Sequence, residues 1–292
     1  MKKGLLIYNR FLESEALLKM NQFLIKSCRI HELELIPCSN ADFTVSLDKM
    51  TAHSPYLDES VDFIIYRDKD IPLAKCLEHM GYRLFNSASA IELCDDKSLT
   101  AMKLSGIVSL PKTIMVPKTF PTVGYPSIDF LSQIEKELSY PFVIKECFGS
   151  FGMQVYLADN SQKALKILQK RAGLPLICQQ YIKSSYGRDI RIHIVGNQMV
   201  TAMLRTNQND FRANAELGAL TTVYTPSEEE VSLCLKVTKA LGLDFAGIDL
   251  LFMEDGTKLL CEVNSNAHFT HIYECTGVNV ADAIAAYIAS SI

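Results

Sequence analysis

Short apolar runs alternate with amphipathic stretches over the first third of the chain. Residues 4–8 are continuously apolar, as in a strand buried on both faces. Over 13–28 the apolar positions Leu17, Leu18, Phe23, Leu24 and Ile25 recur at roughly helical spacing. Runs at 33–36 and 61–66 predict further strands, 71–80 a short helix opened by Pro72, and 83–85 a last strand. Strand–helix–strand order implies right-handed crossovers and a parallel sheet. Ligands of such sheets gather beyond the carboxyl ends of the strands. Asn9, Arg10, Arg67 and Asp68 fall there as substrate-contact candidates, though ordinary loop residues read the same way.

The texture then changes. Asn86 and Ser87 cap a helix expected to run through Cys94 and Leu99. Residues 111–126 carry Pro111, Pro117, Pro121, Pro126 and Gly124, which predicts a connector. Beyond it come a helix at 127–138, strands at 141–146 and 155–158, a helix to 171 capped by Asn160, and a strand at 176–182. A hairpin is expected for 190–195 and 199–204 about Gly196-Asn197. Thr225-Pro226-Ser227-Glu228 is read as a capping box with proline at the first helical position, opening a helix to 241. A second hairpin, 246–253 and 258–263, turns at Asp255-Gly256, and a helix over 280–292 closes the chain.

The second hairpin carries the sharpest chemistry. A turn at Asp255-Gly256 sets Met253 against Lys258, Leu251 against Leu260 and Asp249 against Glu262, with Asn264 on the face of Glu262. Opposed like charges destabilise a sheet, so the two carboxylates share a proton, pair with a cation or bind metal. Oxygens of Asp, Glu and Asn on one face suit Mg²⁺, a hard ion that bridges substrate phosphates. A dry acid pair is the plainer alternative.

Lys145 emerges from the apolar run 141–146, where burial is costly unless an anion meets it. Gly149-Ser150-Phe151-Gly152 follows, a loop whose backbone N–H groups can cradle phosphate but which by itself is more often a plain turn. G-x-x-x-x-G-K-[ST], G-x-G-x-x-G and H-E-x-x-H are all absent. In 188–195, Ile190, Ile192 and Ile194 occupy one face and Asp189, Arg191 and His193 the other. His193 reads as a satisfied sheet residue, and Arg205 falls by parity on the isoleucine face, without a place unless a bulge intervenes.

Composition narrows the classes. The 292 residues are 48% hydrophobic, enough to bury a core without disulfide or metal staples. Lys and Arg total 29 against 33 Asp and Glu, a net charge of -4, which argues against a nucleic-acid binder while leaving room for a local cationic cleft. Nine cysteines lack Cys-x-x-Cys spacing and predict free thiols in a reducing compartment, hence a cytoplasmic protein. No apolar run approaches the ~20 residues that span a bilayer. The first residues read as a strand rather than a signal peptide.

These pieces in order resemble the ATP-grasp superfamily, and within it the RimK-type carboxylate–amine ligases. The resemblance covers about residues 80–290 and is carried by Phe85-Asn86-Ser87, Asp95-Asp96-Lys97, Lys145, Gly149-Ser150-Phe151-Gly152, Gln179-Gln180-Tyr181-Ile182, Gly187-Arg188-Asp189-Ile190-Arg191, Asp210-Phe211-Arg212-Ala213-Asn214, Ala246-Gly247-Ile248-Asp249 and Glu262-Val263-Asn264. It implies an α/β and α+β chain: an N-terminal Rossmann-like parallel-sheet domain (1–95), an ATP-grasp small lobe with a glycine-rich lid (96–182) and a C-terminal lobe with the metal site (183–292). By the resemblance Lys97 and Lys145 hold the α- and β-phosphates of ATP, Gly149, Ser150, Phe151 and Gly152 fold over the triphosphate, and Gln179, Gln180, Tyr181 and Ile182 form the adenine hinge. Asp189 takes the ribose hydroxyls, and Asp249, Glu262 and Asn264 hold two Mg²⁺ or Mn²⁺ ions. Arg191, Arg212 and Asn214 face the γ-phosphate and the acceptor carboxylate. The activity implied is an ATP-dependent ligase that joins a small-molecule or peptide carboxylate, through an acyl phosphate, to an amine of an amino acid such as glutamate. The alternative is a silent ATP-binding sensor or scaffold. No nucleic acid or membrane partner is expected, and relatives are often homodimers or homotetramers.

Three departures stand out. Relatives usually read E-V-N-x-S-P-G where this chain has Glu262-Val263-Asn264-Ser265-Asn266-Ala267-His268-Phe269, so their acceptors do not carry over. The lid ends in Gly152-Met153-Gln154 where a third glycine is common, a change expected to stiffen it. The hinge has Gln180 where glutamate is common.

Overall fold

A computed structural model describes Met1 to Ile292 except Glu13. The first unit is a parallel sheet. β1 (Lys2–Tyr8), α1 (Glu15–Ile30) and β2 (Leu33–Ser39) form one crossover, and a small hairpin of β3 (Thr44–Ser46) and β4 (Thr51–His53) precedes β5 (Val61–Arg67). α2 (Ile71–His79) and β6 (Leu84–Phe85) complete it, with strand order β2-β1-β5-β6. The start expected for the first helix, Glu13, lies outside the described residues; Ser14 is its N-cap and accepts from the Leu17 N–H.

The helix expected through Leu99 is two helices, α3 (Ala88–Asp95) and α4 (Lys97–Leu104). They break at Asp96, whose side chain caps α4 by accepting from the N–H groups of Ser98 and Leu99, the alternative to helix that short acidic side chains offer. Ser87 alone caps α3. Asn86 does something else: it is fully buried, accepts from the N–H groups of Asp244 and Phe245, and donates to the carbonyls of Phe245 and Ser265. It thereby ties the first unit to the last.

The second sheet is antiparallel, order β7-β10-β8-β9, built from β7 (Thr113–Met115), β8 (Phe142–Glu146), β9 (Val155–Ala158) and β10 (Leu176–Gln180), with α5 (Phe130–Leu138) and α6 (Ser161–Lys170) alongside. β7 corrects the reading of 111–126 as connector only: a three-residue strand fits between prolines because it is an edge strand paired on one side. α5 begins three residues later than expected.

The third sheet has order β13-β12-β11-β14-β15: β11 (Arg188–Val195), β12 (Gln198–Thr206), β13 (Leu220–Val223), β14 (Phe245–Phe252) and β15 (Lys258–Asn264). α7 (Glu228–Leu241) packs its Cys234 and Val237 on the buried face with Ile190, Ile192, Ile248 and Leu250. The capping box is Ser227 with Glu230, reciprocally bonded, and Pro226 lies outside the helix. The chain ends in α8 (Thr270–Thr276) and α9 (Val280–Ser291). Phe269, Ile284 and Ile288 share one apolar cluster with Leu6, Met20, Leu24 and Phe63, so α1 is sandwiched between the first sheet and the C-terminal helix.

Two strands of the third sheet depart from simple alternation, and both departures aim side chains. On β15, Asp249 faces Glu262 as expected, but Leu250 faces Leu260 and Phe252 faces Lys258. The expected pairs Leu251–Leu260 and Met253–Lys258 do not form: the turn is longer, the Met253 N–H closes on Thr257 O, and Cys261 is an extra residue in a bulge. The bulge lets Leu260 enter the core while Glu262 two residues on faces the cleft. On β12 a register shift at Val200 sets Arg205 directly opposite Asp189. Arg205 is therefore on the polar face, not among the isoleucines.

Candidate active site

A cleft, partly open to solvent, lies between the second and third sheets. Its walls bring together Lys97, Lys145, Gly149, Ser150, Gly152, Gln179, Gln180, Tyr181, Ile182, Asp189, Arg212, Asn214, Asp249 and Glu262, residues drawn from both sheets and from α4. Phe151, Arg191 and Asn264 do not line it; they line an adjoining cavity that shares Lys97, Gly149, Ser150, Arg205, Asn214 and Glu262 with the cleft.

Lys145 sits mid-strand on β8, 8% exposed, and makes no ion pair among the described residues. A buried ammonium without a counter-ion is unfavourable, so the position is one an anion completes. Lys97 opens α4; its Nζ donates to Gly149 O at 3.2 Å and stands 3.5 Å from Glu262 Oε1. The lid lies between these lysines. Gly152 has φ +71, and a Cβ there would fall 2.5 Å from Asn214 Oδ1, so the lid touches the third sheet's loop as only glycine permits. Arg212 holds the same point: Nη1 donates to Gly152 O at 2.7 Å, while Nε and Nη2 grip Asp210. Gln154 fills the inside of the lid and accepts from the Ser150 N–H at 3.2 Å. Phe151 turns the other way and meets the His268 ring edge-on at 5.2 Å.

β10 ends at Gln180, and the backbone N–H and carbonyl of Tyr181 leave the ladder without a protein partner among the described residues. A flat heterocycle with one donor and one acceptor edge matches such a segment. Gln179 is buried and donates to Thr113 Oγ1, so its side chain is structural here. Gln180 is exposed, and its Oε1 accepts from the Lys112 N–H at 3.4 Å.

Where the cleft and the adjoining cavity meet lies a buried quartet of charges. Arg191 grips Asp249 through Nε and Nη2, Arg205 grips Asp189 through the same two nitrogens, and Arg205 Nη2 also reaches Asp249 Oδ2 at 2.9 Å. Burial opposes the charge on Asp249, but two guanidiniums outweigh it and hold its carboxyl below the ordinary range. Burial prevails at Asp189, which has one guanidinium gripping it and Asp249 nearby, and its carboxyl is raised. Arg205 was not placed from the sequence, since only the bulge brings it here. Asp189, as found, is committed to Arg205 rather than free for a sugar.

The three oxygen donors fit a divalent cation on this structure's own terms. A carboxylate offers about four lone-pair sites. Arg191 and Arg205 engage three on Asp249, leaving one on Oδ1. Glu262 makes only the long contact to Lys97, and Asn264 has a buried Nδ2 without a partner and no hydrogen bond fixing its oxygen. Among the described residues no group of three or more His, Cys, Asp or Glu forms a metal cluster, as expected for a set of two carboxylates and an amide. Gly247, opposite Asn264, lets Ala267 and Arg191 pack close to the strand; a Cβ there would lie 2.5 Å from Ala267 Cβ and 3.1 Å from Arg191 Cδ. Of the candidates in the first unit, Asn9, Arg67 and Asp68 line the adjoining cavity, whereas Arg10 is exposed and does not.

A family model, the RimK-like ATP-grasp domain, matches residues 99–288. The "Uncharacterized protein MG012 homolog" of Mycoplasma pneumoniae is 33% identical over 275 residues, 89% of this chain and 94% of that protein. Human N-acetylaspartylglutamate synthase A is 32% identical over 228 residues, 77% of this chain but 57% of that longer protein. Among solved structures, a RimK domain ATP-grasp protein of Sphaerobacter thermophilus superposes with a TM-score of 0.75 at 19% identity, covering 98% of each chain. No helix among the described residues is long and apolar enough to cross a membrane.

Proposed function

The chain belongs to the RimK-like ATP-grasp family, and from that premise we propose that it is an ATP-dependent ligase forming an amide between a carboxylate and an amine of an amino acid. The observation that carries the reading is the pair of cavities joined at one edge. One is framed by Lys97, Lys145, a glycine lid and an open hinge, the other leads away from Glu262 and Asn264 toward the first sheet. A nucleotide's phosphates and a second substrate would meet where the cavities share Lys97, Ser150 and Glu262. Three units, 1–95, 96–182 and 183–292, serve as acceptor wall, lid-bearing lobe and acid-bearing lobe in this scheme.

Attack of a carboxylate on a γ-phosphoryl group sets anion against anion, so rate depends on neutralisation and alignment. Lys97 and Lys145 supply positive charge at the α- and β-phosphates, and the N–H groups of the lid close over them. Tyr181 and Ile182 present backbone groups to adenine. Asp189, both of whose oxygens are held by Arg205, would border the ribose rather than bind it. Asp249, Glu262 and Asn264 would hold Mg²⁺ or Mn²⁺, which supplies charge neutralisation at the phosphates when bound. Arg212 and Asn214 fix the lid against the third sheet, and Arg191 orients Asp249 on the acceptor side. An amine then attacks the acyl phosphate and expels phosphate, leaving the amide.

Mycoplasma and human relatives differ in what their names assign, and the human protein's name places glutamate in its product. Glutamate is accordingly the first amine to try. The test is a phosphate-release screen over pairs of amino acids and carboxylates, small and peptide, with product masses recorded. Phosphate release that requires both partners and a product lighter than their sum by one water support the ligase. ATP binding without turnover in every pair supports a sensor or scaffold instead.

A further inference from the structure

Six side-chain polar atoms among the described residues are buried without a hydrogen-bond partner, and four belong to residues lining the adjoining cavity: Asn21 Oδ1, Arg67 Nε, Asn264 Nδ2 and Asn266 Oδ1. Folded proteins leave few such groups orphaned, and each implies a missing partner. Two of the four are donors and two are acceptors. A ligand carrying both an anionic acceptor and a donor matches the polarity of this set better than a simple anion or an apolar molecule.

Arg67 is the centre of this group. It stands at the carboxyl end of β5, 8% exposed. Burial alone acts on its guanidinium, lowering it to about 10, and it makes no ion pair among the described residues to offset the cost. Its Nη2 has only long contacts, 3.6 Å to Met20 Sδ and 3.5 Å to Asn266 O, and the Phe269 ring lies 5.5 Å away. The Nε–Nη2 edge is the edge that takes a carboxylate by two parallel hydrogen bonds, as Arg191 and Arg205 show in the same protein. Those two arginines have their aspartates; Arg67 has none. Lys145 presents an unpaired buried cation to the nucleotide cleft, and Arg67 presents one to the neighbouring cavity.

We propose that the guanidinium of Arg67, which lines this cavity together with Asn21 and Asn266, is a subsite for a carboxylate whose α-carbon bears an N–H donor. The carboxylate bound there is a handle and is not the one activated. Assigning the handle to a substrate rests on the ligase reading; the binding chemistry does not. Two sources present this chemistry, a free amino acid with its ammonium and the C-terminal residue of a peptide with its amide N–H.

The experiment is titration calorimetry on the full chain in ADP and Mg²⁺, with three acids, L-glutamate, N-acetyl-L-glutamate and a tetrapeptide with a free C-terminus, and with the α-carboxamide of each. At least one acid binds, and its carboxamide binds at least 30-fold more weakly. Binding of free glutamate identifies an amino acid as the source; binding only of the acylated forms identifies a chain end. Arg67→Met loses the acid by at least 30-fold and no longer distinguishes acid from amide, while ADP affinity stays within twofold. Arg67→Lys falls between. Because the substitution removes an uncompensated buried charge, the Tm of Arg67→Met is equal to or above wild type, which a residue with a merely structural role would not show. Discrimination that survives in Arg67→Met, or no probe that prefers acid to amide, overturns the subsite. Loss of acid binding in Arg67→Met from a protein that never turns over ATP leaves the subsite standing and overturns the ligase.

Discussion

Asp249 and Glu262 face each other directly across β14 and β15, yet their charges are met by opposite means. Asp249 is buried and held by Arg191 and Arg205, whereas Glu262 is a quarter exposed toward the cleft with only a 3.5 Å contact to Lys97. Removing one charge from a buried ion network leaves its partners uncompensated and costs about 3–5 kcal/mol, while an exposed pair is worth ~1 kcal/mol or less. Asp249→Asn is therefore expected to lose stability on that larger scale and Glu262→Gln hardly any. Both lose nearly all ATP turnover. Urea unfolding separates the two variants and phosphate release unites them; near-normal turnover in both would break the metal assignment.

That pair was legible in the sequence for a partly accidental reason. Alternation and a turn at Asp255-Gly256 placed Asp249 against Glu262, but the real turn shifts the register and the bulge at Cys261 shifts it back. Lys145 and the lid were legible because they stand at the end of a clear apolar strand, whereas Lys97 and the hinge came from the family resemblance. Arg205 was not, since a period-two reading has no means of seeing the extra residue at Val200. The break at Asp96 was hidden for a related reason: helical spacing continues across it, and only the side chain's bond to the backbone ends one helix and begins the next. What pattern conveys is the face of an element; what it omits is the local defect that re-aims one residue.

Arg205 and Asp189 supply a second test. Arg205→Met alone strands Asp189 in a site already unfavourable to its charge, and is expected to cost about 3–5 kcal/mol. Adding Asp189→Leu removes the stranded carboxylate. The double variant should then be more stable than the sum of the single changes by about 0.5–3 kcal/mol, the coupling seen for residues in one network. Additive losses in a double-mutant cycle would show that the bridge does not act as a unit.

The lid offers a third. Gly152→Ala places a Cβ against Asn214 Oδ1 in a backbone region that costs an L residue about 1–2 kcal/mol. The expected result is a lid displaced from Arg212 and Asn214, with KM for ATP raised about tenfold, or about 1.4 kcal/mol, and a stability loss no larger than the strain. Gly256→Ala is the control: it has φ +87 but nothing within 4 Å, so it carries strain without a clash. Equal effects of the two on ATP would place the lid elsewhere.

Acid sensitivity follows from His193. Burial, then the charge of Arg191, pushes its imidazole down to about 3, and its Nε2 has no partner. An unfolded histidine titrates near 6.5. Between those values the unfolded chain binds a proton that the folded chain refuses, so stability rises with pH and is lost on acidification. The slope from this one residue reaches about 1.4 kcal/mol per pH unit. His268, lowered to about 4 by burial and by Arg67 and Arg191, acts in the same direction over a narrower window. Asp249, with its carboxyl held low, adds a loss only below the ordinary carboxylate range. His193→Gln should accordingly flatten the dependence of unfolding free energy on pH between 4 and 6 by close to one proton, measured by urea unfolding at several pH values. An unchanged slope in that variant would mean the imidazole is already protonated in the folded protein, with Asp249 as its counter-ion.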